Sequence, residues 1–574
     1  MNYQEFLSKI TTYNLDYYLL ATKCEFDVEY LPDYAKNLEK ITGFDGSNGF
    51  CFISKEKIIF ITDGRYITQA EQQLKKLNTK FIVLNIADLD LSSQLKEQFP
   101  NKSNIGFDPK IFTKKTLERF QNESIEYIPI CIQIDNFQKN TINQRNVFTY
   151  EIEFSGESYQ SKMLKFVEKM QNDFYFFNNP ASICWLLNIR GFDIEYNLVF
   201  LCYGILGKHT KTLTIFCYDE NKLEKIKNHE NIKIENISKL EDHLIKITEL
   251  EKNIGTSNNI SIHYSELLKK SLKIEQDYCS SLRSYKNNTE IENTKKIHLD
   301  DAIAFIKFWY FFESKDKDET FDEISVSKTL ENFRSEEKNC ISSSFETIVG
   351  FKENGAIIHY KPFNETNKKI SGDGLLLIDS GGHYYGGTTD VTRVLSIGIP
   401  TDEEKFHYTL VLKAHLKLLN SYFPKNIPMH QLNSLSRYAL WQEKLDFDHG
   451  LGHGVSNCIE VHEGPYSINN RCGELLIENL ILSNEPGLYF ENKYGIRIEN
   501  LMHSKISNNK ENKQFIEFEN LTMIPYETKL IEKSMLDNKE IIQINNYHTE
   551  IFLKLEKSLD KKILDWLKNR INKL

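Results

Sequence analysis

The chain has 574 residues, 40% hydrophobic and 12% aromatic, with 81 acidic against 71 basic residues and a formal net charge of −10. That length exceeds what one hydrophobic core organises and the apolar content fills several, so a disordered chain is excluded and a multi-domain globular one expected. The acidic balance leaves no basic stripe for nucleic acid, and no window approaches a membrane span.

The opening MNYQEFLSKITTYNLDYYLL lacks a basic region followed by an apolar run, so the chain is expected to stay in the cytoplasm. Its ten cysteines form no CxxC pair and follow no regular spacing, which fits free thiols in a reducing compartment.

Over residues 1–140, apolar runs such as FCFIS and KIIFIT alternate with helical stretches such as YITQAEQQLKKL, the pattern of an α/β domain, and GFDGSNGF is a glycine-rich turn. The polar, aperiodic stretch QIDNFQKNTINQRN, near 133–146, is the candidate linker. A second α/β segment, 141–284, has a helix in SYQSKMLKFVEKMQNDF and strands in NLVFLCYGIL and TLTIFCY. Its make-up echoes the first, but no repeat is visible residue by residue.

The third segment, 285–574, opens with the apolar helix IHLDDAIAFIKFWYFFES. Directly after Pro400, Thr401-Asp402-Glu403-Glu404 is a capping signal, and behind it Phe406, Leu410, Ala414 and Leu418 recur every four residues to give one apolar face. Strand-like runs GLLLID, DVTRVLSIG, ENLILSN and GIRIEN lie among these helices, so a curved, largely antiparallel sheet flanked by helices is expected.

Chemistry concentrates in this third segment. Asp379 ends LLLID and Asp390 begins DVTRVL, with SGGHYYGGTT between them. Such a hairpin brings two carboxylates to one face of a sheet, where a buried acid needs a partner. His453 sits in HGLGHG between glycines that let the backbone turn tightly and leave room around an imidazole, with His449 nearby. In GIRIEN, alternation puts Ile496 and Ile498 on one face and Arg497 and Glu499 on the other. Glu485, in SNEPG, closes a strand ahead of a proline and a glycine.

Taken alone, each of these acids is most simply a solvated surface group. Their conjunction at strand ends and glycine turns points elsewhere. Four carboxylates and one imidazole suit a pair of divalent ions, Mn²⁺ first, with Co²⁺, Zn²⁺ or Fe²⁺ as alternatives. Two such ions roughly 3.5–4 Å apart can hold a bridging hydroxide as nucleophile at neutral pH.

At these residues the sequence resembles aminopeptidase P, the Xaa-Pro aminopeptidases of the pita-bread metallopeptidases, which also include prolidase. The resemblance runs through SFETIVGFKENGAIIHYKP, LLLIDSGGHYYGGTTDVTR, HGLGHGVSNCIEVHEGP, LSNEPGLYF, GIRIEN, LTMIPYETKLI and INNYH. ITGFDGSNG, FITDGRYITQA and ICWLLNIRGFDI add the three-domain branch. It implies an α/β (α+β) chain with two creatinase-like N-terminal α/β domains, 1–140 and 141–284, before a pita-bread catalytic domain, 285–574.

The same resemblance implies that Asp379, Asp390, His453, Glu485 and Glu499 hold two metal ions, with Glu485 bridging and accepting a proton from the nucleophile. His359, His462 and Arg497 join the active site, and His449 supports it. Arg65 matches a substrate-cleft position, though as a bare arginine it reads equally as a structural ion-pair former. The expected substrates are peptides with proline at the second position, and the expected assembly is a homodimer. Prolidase-like cleavage of Xaa-Pro dipeptides and a non-catalytic peptide-binding protein are the alternatives. Three residues depart from the family pattern: Gly386 in place of Asp, Leu198 in place of Pro and Gln543 in place of Trp, which bear on loop rigidity and dimer stability.

Overall fold

The computed structural model describes residues 1–99, 101–134, 143–314, 321–363, 365–508 and 513–574. Residues 135–142 of the candidate linker lie outside this set. The chain forms two compact units, one of Met1–Tyr150 with Glu157–Cys279, the other of Glu151–Gly156 with Ser280–Leu574.

The first unit contains two six-stranded sheets. One is built from β1 (Tyr17–Ala21), β2 (Phe50–Ile53), β3 (Lys57–Thr62), β4 (Lys80–Asn85), β5 (Ser103–Phe107) and β6 (Ile125–Pro129), in the order β4-β3-β2-β1-β5-β6. The other uses β7 (Phe174–Phe177), β8 (Cys202–Gly207), β9 (Leu213–Cys217), β10 (Ile232–Asn236), β11 (Ile254–Thr256) and β12 (Leu272–Ile274), in the order β10-β9-β8-β7-β11-β12.

The two orders are the same once each sheet is counted from its own first strand. So are the directions: first to second and second to third antiparallel, third to fourth, first to fifth and fifth to sixth parallel. The duplication that sequence comparison within the chain did not reveal is therefore present as topology.

Burial explains why β1–β3 read as near-continuous apolar runs. Tyr18, Leu20, Cys51, Ile53, Ile58 and Phe60 enter one core cluster, while their neighbours Leu19, Ala21, Phe50, Phe52, Ile59 and Ile61 enter a second. A sheet covered on both faces needs an apolar side chain at every position. Two predicted elements are shorter than expected. The helix after Ser158, whose side chain accepts from Ser161 N, ends at Lys169 so that the chain can enter β7 at Phe174. In NLVFLCYGIL the ladder begins only at Cys202, because Leu201 N is taken by Asp193 Oδ2 at 2.9 Å.

In the second unit the strand pairings are antiparallel. The expected single sheet is divided into shorter ladders, among them one of three strands around Gly374–Ser380 and one of six strands that includes Gly452–Gly454 and Ile481–Asn484. The apolar helix spans Asn288–Ser314, starting nine residues before IHLDD, and buries Ala302, Phe305, Ile306, Phe308 and Trp309.

The helix Asp402–Leu419 starts at the predicted capping box, with Thr401 and Glu404 satisfying each other's backbone N–H. Its burial differs from the expected single face. Phe406 is only partly buried, whereas His407, Tyr408, Thr409, Val411, Leu412, His415 and Leu416 are buried along with Leu410, Ala414 and Leu418. Polar members of this set find distant partners, His407 Nδ1 with Tyr494 OH at 2.9 Å and His415 Nδ1 with Asn484 O at 3.1 Å. All ten cysteines are free thiols. No helix among the described residues is long and apolar enough to cross a membrane.

Candidate active site

Asp379 belongs to the strand Gly374–Ser380, which pairs residue by residue with Val391–Ile397 and sets Asp379 opposite Thr392. Leu375, Leu376, Leu377 and Ile378 are buried, and that apolar anchor fixes the register that delivers the carboxylate. The connection carries a smaller hairpin of its own, Gly382–Tyr384 against Gly387–Thr388. Gly386 lies in it at φ +119°, a conformation that L side chains rarely adopt, so glycine at this departure from the family pattern relieves strain. Asp390 sits immediately before the returning strand.

The glycines beside His453 act differently from the sequence-based expectation of a tight turn. A Cβ on Gly452 would lie 2.1 Å from Ser483 O and one on Gly454 2.3 Å from Glu463 O, so they permit close approach of two flanking segments. Glu485 follows the strand Ile481–Asn484, its N–H donating to Leu451 O at 2.8 Å, and Glu499 N donates to Thr392 O at 3.2 Å.

These elements bring ligand atoms of Asp390, His453 and Glu499 within 4.8 Å of one another. Glu485 adjoins them, with Oε1 3.5 Å from His453 Nε2, which is also 3.4 Å from Asp390 Oδ2. Asp379 is joined through Arg497, whose Nη2 donates to Asp379 Oδ2 at 2.6 Å. Arg497 Nε donates to Thr392 Oγ1 at 3.1 Å, and Thr392 Oγ1 to Glu499 Oε2 at 2.8 Å. Arg497 Nη1 donates to Tyr489 OH at 2.7 Å, and that oxygen lies 2.9 Å from His449 Nε2. A continuous polar chain thus runs from Asp379 to His449.

The charges are unevenly matched. Asp379, Asp390 and Glu499 are buried, and Glu485 keeps only a small exposure. Burial, opposed by Arg497 and reinforced by Asp390, pushes the Asp379 carboxyl up to about 6. Burial followed by the charges of Asp390, Glu485 and Asp379 holds Glu499 well above the usual carboxylate range, and burial raises Glu485 against the pull of His453. Burial pulls the His453 imidazole down, but Asp390 and Glu485 outweigh it and carry it up to about 9. Packed like this, the carboxylates repel one another.

Two divalent ions fit this set. Asp379 Oδ1 is buried and has no hydrogen-bond partner among the described residues, the mark of an oxygen aimed at something other than a protein donor. Oxygen-rich donors with one imidazole match borderline and hard divalent ions, and four negative ligands balance two of them.

The remaining predicted residues are distributed as follows. His462 packs edge-on against His453 with ring centroids 4.3 Å apart. His359 is half-buried in the turn after Lys352–Ala356, beside Tyr360. Arg65 lies in the first unit and pairs with Asp63, Nε to Oδ1 at 2.8 Å and Nη2 to Oδ2 at 2.9 Å. Thr392, Ser483 and Tyr489 were not singled out from sequence. Thr392 was reachable, being two residues beyond Asp390 and so on the same strand face. Ser483, which accepts from His453 N at 2.9 Å and donates to Glu485 Oε1 at 3.2 Å, and Tyr489 gave no signal apart from ordinary strand composition.

A buried, mutually repelling set of carboxylates around one imidazole, with a guanidinium orienting it, defines a metal-dependent hydrolase site. Comparison with known proteins agrees. Residues 297–504 match the metallopeptidase family M24 and residues 514–574 the C-terminal region of peptidase M24. Residues 4–135 and 138–290 each match the creatinase/prolidase N-terminal domain.

The chain is 34% identical to Xaa-Pro aminopeptidase 1 of Dictyostelium discoideum over 98% of its own length and 94% of that protein. It superposes on the crystal structure of X-prolyl aminopeptidase from Caenorhabditis elegans, described as a cytosolic enzyme with a di-nuclear active site. The TM-score is 0.91 at 29% identity, covering 98% of this chain and 95% of that one. The chain belongs to metallopeptidase family M24, in the group of Xaa-Pro aminopeptidases with creatinase-type N-terminal domains.

Proposed function

We propose that the chain is a dinuclear metallopeptidase that removes the N-terminal residue from peptides with proline at the second position. The observation that carries this is the buried cluster itself, four carboxylates with an orphaned oxygen on Asp379, in a chain similar over nearly its whole length to enzymes of that name. Asp379, Asp390, His453, Glu485 and Glu499 hold the two ions, with Mn²⁺ the first candidate for this oxygen-rich set. When bound, the ions supply Lewis acidity and make a water nucleophilic at neutral pH.

The chain's own residues do the rest. Glu485, its proton affinity raised by burial, takes the proton released as water adds to the carbonyl carbon and returns one to the prolyl nitrogen as the C–N bond breaks. His462 and His359 donate hydrogen bonds to the carbonyl oxygen as it becomes tetrahedral. Arg497 and Thr392 fix the orientation of Asp379 and Glu499. His449 supports Arg497 through Tyr489. Arg65 is proposed to reach substrate only in addition to its ion pair with Asp63. Proline lacks an N–H and stiffens the backbone, so such a site polarises the carbonyl without gripping a backbone donor.

The proposal extends to organisation. Domains at 1–140, 141–284 and 285–574 are supported by the two sheets of one topology in the first unit, and a cytoplasmic location by the free thiols and by the similar enzyme described as cytosolic, while the homodimer rests on the sequence resemblance alone. Hydrolysis of Arg-Pro-Pro, Ala-Pro and Ala-Ala-Ala with Mn²⁺ tests the specificity. Arg-Pro-Pro is expected to be cut fastest by far. Preference for Ala-Pro would make the chain a prolidase, and preference for Ala-Ala-Ala would overturn the assignment.

A further inference from the structure

His462 lies on a loop bounded by two buried acids, Glu460 and Glu463. Both are held by a short segment at the start of the second unit, residues 280–286. Arg283 Nη2 reaches Glu460 Oε1 at 2.7 Å and its Nε lies 3.6 Å from Glu463 Oε2. Lys286 Nζ bonds Glu463 Oε1 and donates to Arg283 O at 2.7 Å. Ser280 Oγ and Ser284 Oγ both donate to Gly464 O at 2.9 Å.

Four side chains of seven consecutive residues are therefore spent on the five residues 460–464. Arg283 and Lys286 are 4% and 1% exposed, Glu460 and Glu463 8% and 3%, so these are ion pairs in a low-dielectric interior, where losing one partner strands the other. At its other end the loop is closed by Ser456 Oγ, which accepts from Glu460 N at 2.7 Å and donates to Glu460 O at 2.6 Å. Within this clamped loop, His462 packs on a metal ligand, His453.

We infer that residues 280–286 form a strap whose Arg283 and Lys286 are positioning residues for His462, acting on the peptide reaction only through that imidazole. Two cations against two anions leave the strap electrically balanced, so it fixes the loop without altering the charge of the neighbouring ligand cluster. The inference rests on the proposed aminopeptidase reading, because it assigns the strap a role in that reaction. A strap of purely structural value would instead lower the melting temperature and every activity alike.

A double-mutant cycle on the full chain separates the two, with Arg-Pro-Pro as substrate and Mn²⁺ present. Arg283→Gln is expected to lower kcat by about 10–100-fold with KM little changed and two ions still bound per chain. In a His462→Ala background the same substitution should change kcat by less than about twofold, since the group it positions is gone. If Arg283→Gln does not melt cooperatively, Ser280→Ala with Ser284→Ala, which leaves both ion pairs intact, replaces it in the cycle with a smaller loss of the same pattern. Full activity of the strap variants, losses that multiply in the His462→Ala background, or a fully active His462→Ala would each overturn the strap. A wild-type chain inactive toward Arg-Pro-Pro overturns the function and the strap together, whereas an active wild type beside an unaffected Arg283→Gln overturns the strap alone.

Discussion

Two groups of buried carboxylate in the second unit look alike in burial and differ in what surrounds them. Glu323, fully buried at the start of the helix Glu323–Ser335, accepts from Phe351 N and Lys368 N at 2.8 Å each, from Asn354 Nδ2 at 3.0 Å and from Tyr360 OH at 2.9 Å. Burial raises its pKa, but those donors oppose the rise, and every lone pair has work within the protein. At the metal site, Asp379 has one oxygen on Arg497 and the other with no donor among the described residues, while Asp390, Glu485 and Glu499 crowd around a single imidazole. Burial of an acid is thus a poor marker of chemistry. A deficit of donors around several buried acids is the informative feature, because a cation from outside the protein makes good the desolvation that no protein donor offsets.

Substitutions on the two sides of this comparison should separate cleanly. The largest effect is expected from Asp379→Asn or Glu499→Gln, each of which abolishes hydrolysis by removing a charged ligand while the fold persists; full activity at ordinary metal concentration would remove that residue from the ligand set. His359→Ala should lower kcat by about 10²–10⁴-fold with both ions retained, measured by steady-state kinetics beside metal content. Loss of an ion with the activity would instead place His359 among the ligands.

Stability should diverge in the opposite sense. Glu323→Ala strands its donors, a cost on the order of 3 kcal/mol visible as a lower melting temperature with or without metal, and the variant should still bind two ions. For the metal-free protein, Glu499→Gln relieves repulsion between like charges and should raise the melting temperature, while losing most of the increase that Mn²⁺ gives the wild type. A chelated Glu499→Gln less stable than the chelated wild type would mean that the cluster is satisfied within the protein, as Glu323 is. The smallest effect is expected from Thr392→Val, which removes the hydroxyl between Arg497 and Glu499 and should cost about tenfold in metal affinity or turnover.

What the sequence made legible was what is local. The Thr401–Glu404 box could be read because its partners are three residues apart, and the Arg497/Glu499 pairing because a strand alternates with period two. Glycine-flanked His453 and the acids at strand ends stood out for the same reason. The all-round burial of Asp402–Leu419 was hidden because the partners of His407 and His415 lie 87 and 69 residues away. Arg283 and Lys286 are separated from Glu460 and Glu463 by a wider gulf still, 177 residues for Lys286 and Glu463, and nothing in SLRSYK marks its basic residues as buried. The two matching sheets of the first unit share strand order and direction while their side chains have diverged, so hydrophobic runs suggested kinship without a residue-level repeat.

The central claim is that the donor-poor cluster exists to hold two metal ions, and titration calorimetry of Mn²⁺ into chelator-treated protein tests it most directly. The account predicts two ions bound per chain in the wild type and in Glu323→Ala, with binding disrupted in Glu499→Gln. A wild-type chain that binds no ion, or a Glu499→Gln chain that still binds two as tightly, would contradict it.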